Sequence, residues 1–317
     1  MGSNYAVTGE TAAQSRGFPL VPLLVALRPY QWPKNLLVFA AFVFSVGDAW
    51  TPGDVDSWWG MWWRTVALFA LWSAAASATY LFNDIRDREA DRVHERKRHR
   101  PIASGRLSPR LAGTVGVVLL AVSLPLAVAL DALAGLILIA YIVMMALYTM
   151  GLKEVAILDV IILVAGVVAR AVAGAVVIDV EISPWLYVCT SFGAFFFASS
   201  KRWAEFRELG AEAAAHRAAL RHYTGPVLDQ LLAISAASAL LSYALYTIES
   251  DAVPENGSMA LTLPFVAFAL FRYLLLLNGA RRGDAPDRIL FTDPQILLAV
   301  AGFVVTAFLV LTLSHQG

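Results

Sequence analysis

The sequence predicts an all-α, polytopic membrane protein, on three observations. Hydrophobic residues fill 59% of the 317 positions and charged residues only 15%, against roughly 25% charged in an average soluble domain. Apolar runs of about 20 residues, the length that crosses a bilayer core, separate the charged clusters. The clusters themselves alternate between basic and acidic along the chain.

Nine candidate spans are read at about 21–46, 63–83, 110–130, 132–150, 156–178, 183–203, 228–249, 259–278 and 295–315. The connection 84–110 carries Arg86, Arg88, Arg92, Arg96, Lys97, Arg98, Arg100, Arg106 and Arg110. The connection 201–222 carries Lys201, Arg202, Arg207, Arg217 and Arg221, and the last one adds Arg281, Arg282 and Arg288. Apart from Arg64, the alternate connections are acidic, with Asp48, Asp54, Asp56, Asp131, Asp179, Glu181, Glu249, Asp251 and Glu255. Basic loops stay on the cytoplasmic side. Nine spans then put the N-terminus inside and the C-terminus outside.

Residues 1–19 are polar and small, without an apolar core, and read as a disordered tail ahead of one transmembrane domain over 20–317. The tail fails the myristoylation pattern because Ala6 stands where Ser or Thr is needed. Formal net charge is zero, so nothing points to nucleic acid. The single cysteine, Cys189, excludes an intrachain disulfide. Composition leaves a homo-oligomer open.

The chemistry sits in the basic loops. Asn83-Asp84-Ile85-Arg86-Asp87-Arg88-Glu89-Ala90-Asp91 closes the second span. Asp84, Asp87 and Asp91 follow i, i+3, i+7, which places three carboxylates on one helix face. Such a stripe repels itself unless a cation sits within it, and hard oxygen ligands suit Mg²⁺. A solvated helix end with mixed charges is the plainer alternative. The next stretch, Lys97-Arg98-His99-Arg100-Pro101-Ile102-Ala103-Ser104-Gly105, breaks the helix at Pro101 and Gly105 and aims cations back at the carboxylates. Metal-bound carboxylates beside Lys and Arg form a diphosphate site. Lys97 and Arg100 are the residues expected on phosphate, with Arg98 and the interleaved arginines on anionic lipid.

Asn83-Asp84-x-x-Asp87-x-x-x-Asp91, followed by Lys97, Arg100-Pro101 and Gly105, resembles the first aspartate-rich motif of the UbiA superfamily of intramembrane prenyltransferases. The resemblance runs from residue 27 to about 295. It implies about nine transmembrane helices around a central cavity opening to the cytoplasm, with a Mg²⁺-diphosphate site in it.

Aromatic prenyltransferases of that superfamily carry a second acidic motif after the sixth span. Here that loop reads Ser200-Lys201-Arg202-Trp203-Ala204-Glu205-Phe206-Arg207-Glu208. Two adjacent cations replace the acids and suit an anionic group that brings no metal of its own. Glu205, Glu208 and Glu212 repeat the stripe spacing, but a solvated amphipathic helix does so readily. This departure, with Arg28-Pro29-Tyr30-Gln31-Trp32-Pro33-Lys34-Asn35 and Tyr148-Thr149-Met150-Gly151-Leu152-Lys153, is similar to one branch, the decaprenyl-phosphate phosphoribosyltransferases. The resemblance implies that Asp84, Asp87 and Asp91, supported by Asn83, hold Mg²⁺ and 5-phosphoribosyl-1-diphosphate (PRPP). It further implies that Lys34, Lys97, Arg100 and Lys153 contact its phosphates, with Lys201, Arg202 and Glu205 as the branch's Lys-Arg-x-x-Glu element.

Charges inside spans are expensive and each needs a reason. Asp159 and Arg170 in the fifth span are 11 residues apart, on one face but roughly 16 Å apart along the axis, too far to pair. Asp159, beside Lys153, is expected in the polar cavity. Arg170 needs a partner on another helix or a lipid-borne phosphate. Lys34 and Asn35, after Pro33, are also expected to face the cavity, and Tyr148 to lie on it. Tyr223 is a candidate substrate contact. Trp58, Trp59, Trp62 and Trp63 read as an interfacial belt, and the histidines show no metal-ligand spacing.

The expected reaction is substitution at the anomeric carbon of PRPP by a polyprenyl phosphate, with diphosphate leaving. Transfer from a prenyl diphosphate to an aromatic or other acceptor is the alternative. A transporter is disfavoured, because nine spans do not divide into equal inverted halves. A reporter fused after Gly317 should behave as extracytoplasmic, and Arg217→Cys should be labelled only from the cytoplasm. Labelling of that cysteine from outside intact cells would reverse the orientation.

Overall fold

The computed structural model describes residues 19–95, 97–181, 184–209, 218–250, 253–279, 289–290 and 292–313. The expected tail through residue 18 lies outside them, as do Arg96, Glu212, His216, Arg217, Asp251, Arg281, Arg282, Arg288 and His315. The described residues are helical, with no strand beyond the lone bridge Val46–Trp50.

The first expected span does not run as one helix. It forms α1 (Leu20–Leu27), a 3-10 segment (Pro29–Phe39) and α2 (Ala40–Phe44). Pro29 and Pro33 remove two backbone donors, so the regular i→i−4 ladder cannot close across them. An eleven-residue 3-10 stretch is long for its type and marks strain or a functional bend.

The second span is α3 (Val55–Arg86), opened by Asp54, whose side chain accepts the Asp56 N–H, and followed directly by the short α4 (Arg88–Val93). Next come α5 (Pro109–Leu130) and α6 (Ala132–Met150). Their caps are Ser108, accepting from Leu111 N–H at 3.2 Å, and Asp131, accepting from Ala134 N–H at 2.8 Å. The chain continues through α7 (Leu158–Val177), α8 (Pro184–Leu209), α9 (Gly225–Glu249), α10 (Leu263–Gly279) and α11 (Pro294–Leu313). Seven of the described helices are long and apolar enough to cross a membrane. α8 falls outside that set because Pro, Trp, Tyr, Thr and Ser residues dilute the apolar character of its stretch 184–200.

The ends of the bundle segregate by charge. Arg86 Nη2 donates to Met150 O at 2.9 Å and Arg207 Nη1 to Asn278 O at 3.1 Å, which gathers the ends of α3, α6, α8 and α10. At the opposite end Arg64 Nε donates to Val177 O at 2.6 Å, and its Nη2 to Leu130 O at 3.1 Å. That exceptional arginine is therefore explained: it closes the carbonyl ends of α7 and α5. Val117, Leu126, Phe271, Leu298 and Val305 point outward on α5, α10 and α11, an apolar surface that suits lipid contact.

The centre is built by close approach. A Cβ placed on Gly174 would lie 2.0 Å from the Val38 carbonyl oxygen, so only glycine lets α7 seat against the 3-10 segment. Gly174→Ala should lower stability by about 1–3 kcal/mol or more, read as a fall in melting temperature in detergent. Gly193→Ala is the control, because nothing lies within 4 Å of a Cβ there.

Candidate active site

Backbone geometry delivers the first cation. Arg28 ends α1 with φ 55° and ψ 57°, a left-handed conformation that a non-glycine residue rarely adopts. The preceding helix and the proline after it leave the side chain aimed across to α3. There Arg28 Nη2 donates to Asp84 Oδ1 at 2.6 Å, and its guanidinium lies 5.0 Å from the Tyr80 ring centroid. Backbone strain paid at a single residue points to a function for it.

Asp84 is 2% exposed and needs that charge. A second donor is Arg100, whose Nη1 lies 3.2 Å from Asp84 Oδ1 and 2.7 Å from Asp91 Oδ2. One guanidinium nitrogen thus draws two buried carboxylates together. The loop holding Arg100 turns as expected, with Leu107 N–H donating to Pro101 O at 2.9 Å and Gly105 at φ 78°.

Asp87 departs from the expected stripe. α3 ends at Arg86 and α4 begins at Arg88, so Asp87 sits at the junction and its carboxylate turns away. Lys153 Nζ holds it, 3.2 Å from both oxygens. The three aspartates therefore form a buried pair and a separate third group, each with its own cation. Asn83 accepts the Asp87 N–H on its backbone oxygen at 2.9 Å and closes the helix. Lys97 is exposed on the short 3-10 turn Lys97–His99.

The second group of predicted residues assembles around Asp159, which is fully buried in the first turn of α7. Arg202 Nε lies 2.6 Å from Asp159 Oδ2, a charge contact whose N–H is not aligned with the oxygen. Arg202 Nη1 donates to Glu205 Oε2 at 2.5 Å, one helical turn on, and Nη2 lies 3.5 Å from the Tyr148 hydroxyl. Asp159 was expected beside Lys153, and Arg202 was expected to present its charge to an incoming anion. In the structure they are partners, because a guanidinium only 3% exposed demands carboxylates of its own. Lys201 is half-buried beside it.

Tyr223 is the pin of this group. Its hydroxyl donates to Asp159 Oδ1 at 2.9 Å and accepts the Ile157 N–H at 2.7 Å. Burial raises the phenol to about 12, so it stays protonated and keeps that donor. Ile157 is held at φ 68°, strained for a β-branched residue. Tyr223 is thus placed as a support, where a substrate contact was expected.

Arg170 finds side-chain partners on other segments, as expected, and a backbone partner on its own helix. It donates from Nε to Asn35 Oδ1 at 2.7 Å, from Nη2 to the Tyr141 hydroxyl at 3.0 Å, and from Nη1 to Gly166 O. Asn35 is buried and donates in turn to Ser73 Oγ at 3.0 Å. Lys34, its neighbour, is exposed and bonds Gln31.

Sequence reading left Arg28 and Tyr141 out of the site. Arg28 carried a usable signal, a cation next to a helix break inside an apolar span, the same logic that singled out Arg170. Tyr141 carried none, since an aromatic residue in an apolar helix is ordinary.

A cleft lined by Ala41, Phe44, Asp48, Ala171, Glu181 and Tyr246 lies at the acidic end, away from these groups. It offers no cation and does not suit a phosphate.

The UbiA prenyltransferase family model matches residues 36–293. The chain belongs to the UbiA prenyltransferase family. It is 34% identical over 281 residues to the decaprenyl-phosphate phosphoribosyltransferase of Mycobacterium tuberculosis, covering 89% of this chain and 91% of that one. The corresponding proteins of Mycolicibacterium smegmatis and Corynebacterium glutamicum are 32% and 34% identical. They cover 90% and 88% of this chain, and 90% and 83% of their own lengths. Among solved structures, a UbiA homologue from Archaeoglobus fulgidus bound to GPP and Mg²⁺ superposes with a TM-score of 0.68 at 20% identity, over 92% of this chain and 99% of that one. A UbiA homologue from Aeropyrum pernix gives 0.61 at 14%, over 89% and 98%. These solved structures share the fold, and the chain is a membrane transferase of this family.

Among the described residues, no three acidic, His or Cys side chains converge as a ready metal site. The donor set nonetheless fits a divalent cation in kind. All three groups are hard carboxylates, and Asp84 and Asp91 already converge on a single positive nitrogen.

Asp159→Asn should strand Arg202 with half its compensation. Removing one partner of a buried ion pair costs about 3–5 kcal/mol, measurable as a large drop in melting temperature. Asp159→Leu with Arg202→Met should recover most of that loss. A double variant no more stable than Asp159→Asn would show that this pair does not hold α7 to α8.

Proposed function

We propose that this chain transfers a 5-phosphoribosyl group from PRPP to a polyprenyl phosphate of the decaprenyl type, releasing diphosphate, in the supply of cell-wall arabinan precursors. The observation that carries this reading is the likeness, over about nine-tenths of the chain, to relatives named decaprenyl-phosphate phosphoribosyltransferase. The Lys201-Arg202-x-x-Glu205 element, standing where aromatic prenyltransferases have acids, supports it. The protein works in the plasma membrane with nine spans, its N-terminus inside and C-terminus outside, and its cavity open to the cytoplasm. The segregation of basic connections to one end of the bundle supports that orientation.

Asp84, Asp87 and Asp91 would hold Mg²⁺, which supplies positive charge beside the departing diphosphate. Arg28, Arg100 and Lys153 bind diphosphate oxygens through charge-assisted hydrogen bonds, with Lys34 and Lys97 adding charge from the neighbouring turns. The bond from the anomeric carbon to diphosphate breaks, and a bond to an oxygen of the acceptor phosphate forms. That oxygen is already ionised near pH 7, so the chain needs no strong base. Lys201 receives the acceptor phosphate next to Arg202, whose guanidinium Asp159 and Glu205 fix in place. These fixed charges face the charge that develops in the transition state, where preorganisation is worth most.

Mass spectrometry of the product formed from PRPP and several polyprenyl phosphates should give the phosphoribosyl lipid. PRPP should also raise the melting temperature in a Mg²⁺-dependent way, and Asp87→Asn should cut turnover by orders of magnitude without unfolding the protein. Stabilisation by a prenyl diphosphate alone, with no effect of PRPP, would transfer the chain to the prenyl-transfer class.

A further inference from the structure

The mechanism above leaves one buried charge unused. Arg170 lies twelve residues into α7, about 18 Å of helix rise, and is 7% exposed. Its hydrogen-bond partners among the described residues, Asn35, Tyr141 and Gly166 O, are all neutral. Its guanidinium also lies 4.7 Å from the Tyr141 ring centroid and 5.6 Å from that of Trp72. Dipoles and ring faces ease a buried cation but do not neutralise it. Every other strongly buried guanidinium or carboxylate described above has an opposite charge.

A second observation comes from the same cage. Trp72 is fully buried, yet its indole N–H has no partner among the described residues. An uncompensated cation and an unanswered N–H side by side both ask for one thing, an acceptor carrying negative charge.

The cage is also continuous with the aspartates. Asp84, Tyr80, Ser77 and Ser73 follow a 4, 3, 4 spacing along α3 and so share one face. Tyr80 carries Arg28 on its ring. Arg170 leans one turn toward the aspartate end, onto Gly166 O, where glycine leaves room: a Cβ would sit 3.5 Å from Nη1 and 3.2 Å from the Tyr141 ring.

We propose that Arg170 and Trp72 form a second anion subsite, which takes the 5-phosphate of the sugar donor while the aspartate end takes its diphosphate. This rests on the phosphoribosyl reading and adds a specificity determinant to it. A prenyl diphosphate has an apolar tail to place at that depth and gains nothing from a buried cation. A phosphosugar diphosphate has a second anion at its other end.

The test uses the full-length protein in detergent and ribose 5-phosphate as the probe, followed by tryptophan fluorescence in excess EDTA. Wild type should bind it without metal, since no carboxylate bonds Arg170. Arg170→Gln should weaken binding by about 10- to 150-fold, the range for one lost charge-assisted hydrogen bond. Competition by pyrophosphate with Mg²⁺ should be unchanged in that variant. If Arg170→Gln does not fold, Trp72→Phe keeps both ring and charge, and should weaken the probe by about 2- to 10-fold. Unchanged binding of ribose 5-phosphate in the folded variants overturns the subsite, and so does a loss confined to polyprenyl phosphate, which would make the cage a lipid-phosphate site. Because the binding assay needs no turnover, a failure of PRPP as donor would strike the functional reading and leave this result to be judged by itself.

Discussion

A buried carboxylate is costly without a cation at hand, and the end of this protein that carries the aspartate motif is organised around that requirement. Asp84 and Asp91 are almost wholly buried, and both converge on Arg100. Arg28 adds its charge from a different span and Lys153 takes Asp87 from a third segment. The Arg28–Asp84 and Lys153–Asp87 pairs are long-range ties, so the same electrostatics also fix where α1, α3 and the α6–α7 connection end. On the proposed reading, a diphosphate would meet cations already partly buried and aimed. These cations are held by the chain's own acids, and under the proposed reading a metal ion with its phosphates would exchange one set of partners for another.

The same logic separates two kinds of arginine at the basic end. Arg202 is saturated by Asp159 and Glu205, which makes it a joint between α7 and α8. Glu205 is 42% exposed at its side chain while Asp159 is fully buried, so the two acids are not equivalent. Asp159 is the buried partner, held by Tyr223, and Glu205 is the partner that, on the proposed reading, a phosphate would displace with the smaller desolvation penalty.

Much of this was legible in the sequence, for a physical reason. Spans, loop polarity and the aspartate motif are local patterns, set by bilayer thickness and helical periodicity. What escaped was long-range pairing. The broken first span followed from Pro29 and Pro33, but nothing local said that the break would swing Arg28 onto Asp84. The i, i+3, i+7 spacing placed three carboxylates on one face only while the helix continued, and it stops at Asp87 because Lys153, sixty-six residues away, draws that side chain aside. Arg202 read as an open clamp because its counter-charge, Asp159, sits on another helix. Partner choice depends on which helices are neighbours, and periodicity does not encode that.

Depth then becomes the informative coordinate. Near the basic end the buried charges Asp84, Asp91, Asp159 and Arg202 each have an opposite charge at hand, so charge there reports on assembly as much as on chemistry. Arg170, far down α7 and compensated only by dipoles and rings, has no such double reading, because a structural role is met more cheaply by an apolar residue of similar volume. Gly166 and Gly174 flank it, and both keep the backbone close to its neighbours, so the fold has made room for a long cation at a depth where a small one would pack better. At this depth the chain carries a polar cage of Arg170, Asn35 and Tyr141 beside Trp72. On the phosphoribosyl reading that cage, more than the aspartate stripe, is where donor identity would be written, because a phosphosugar diphosphate has a second anion to place there and a prenyl diphosphate has none.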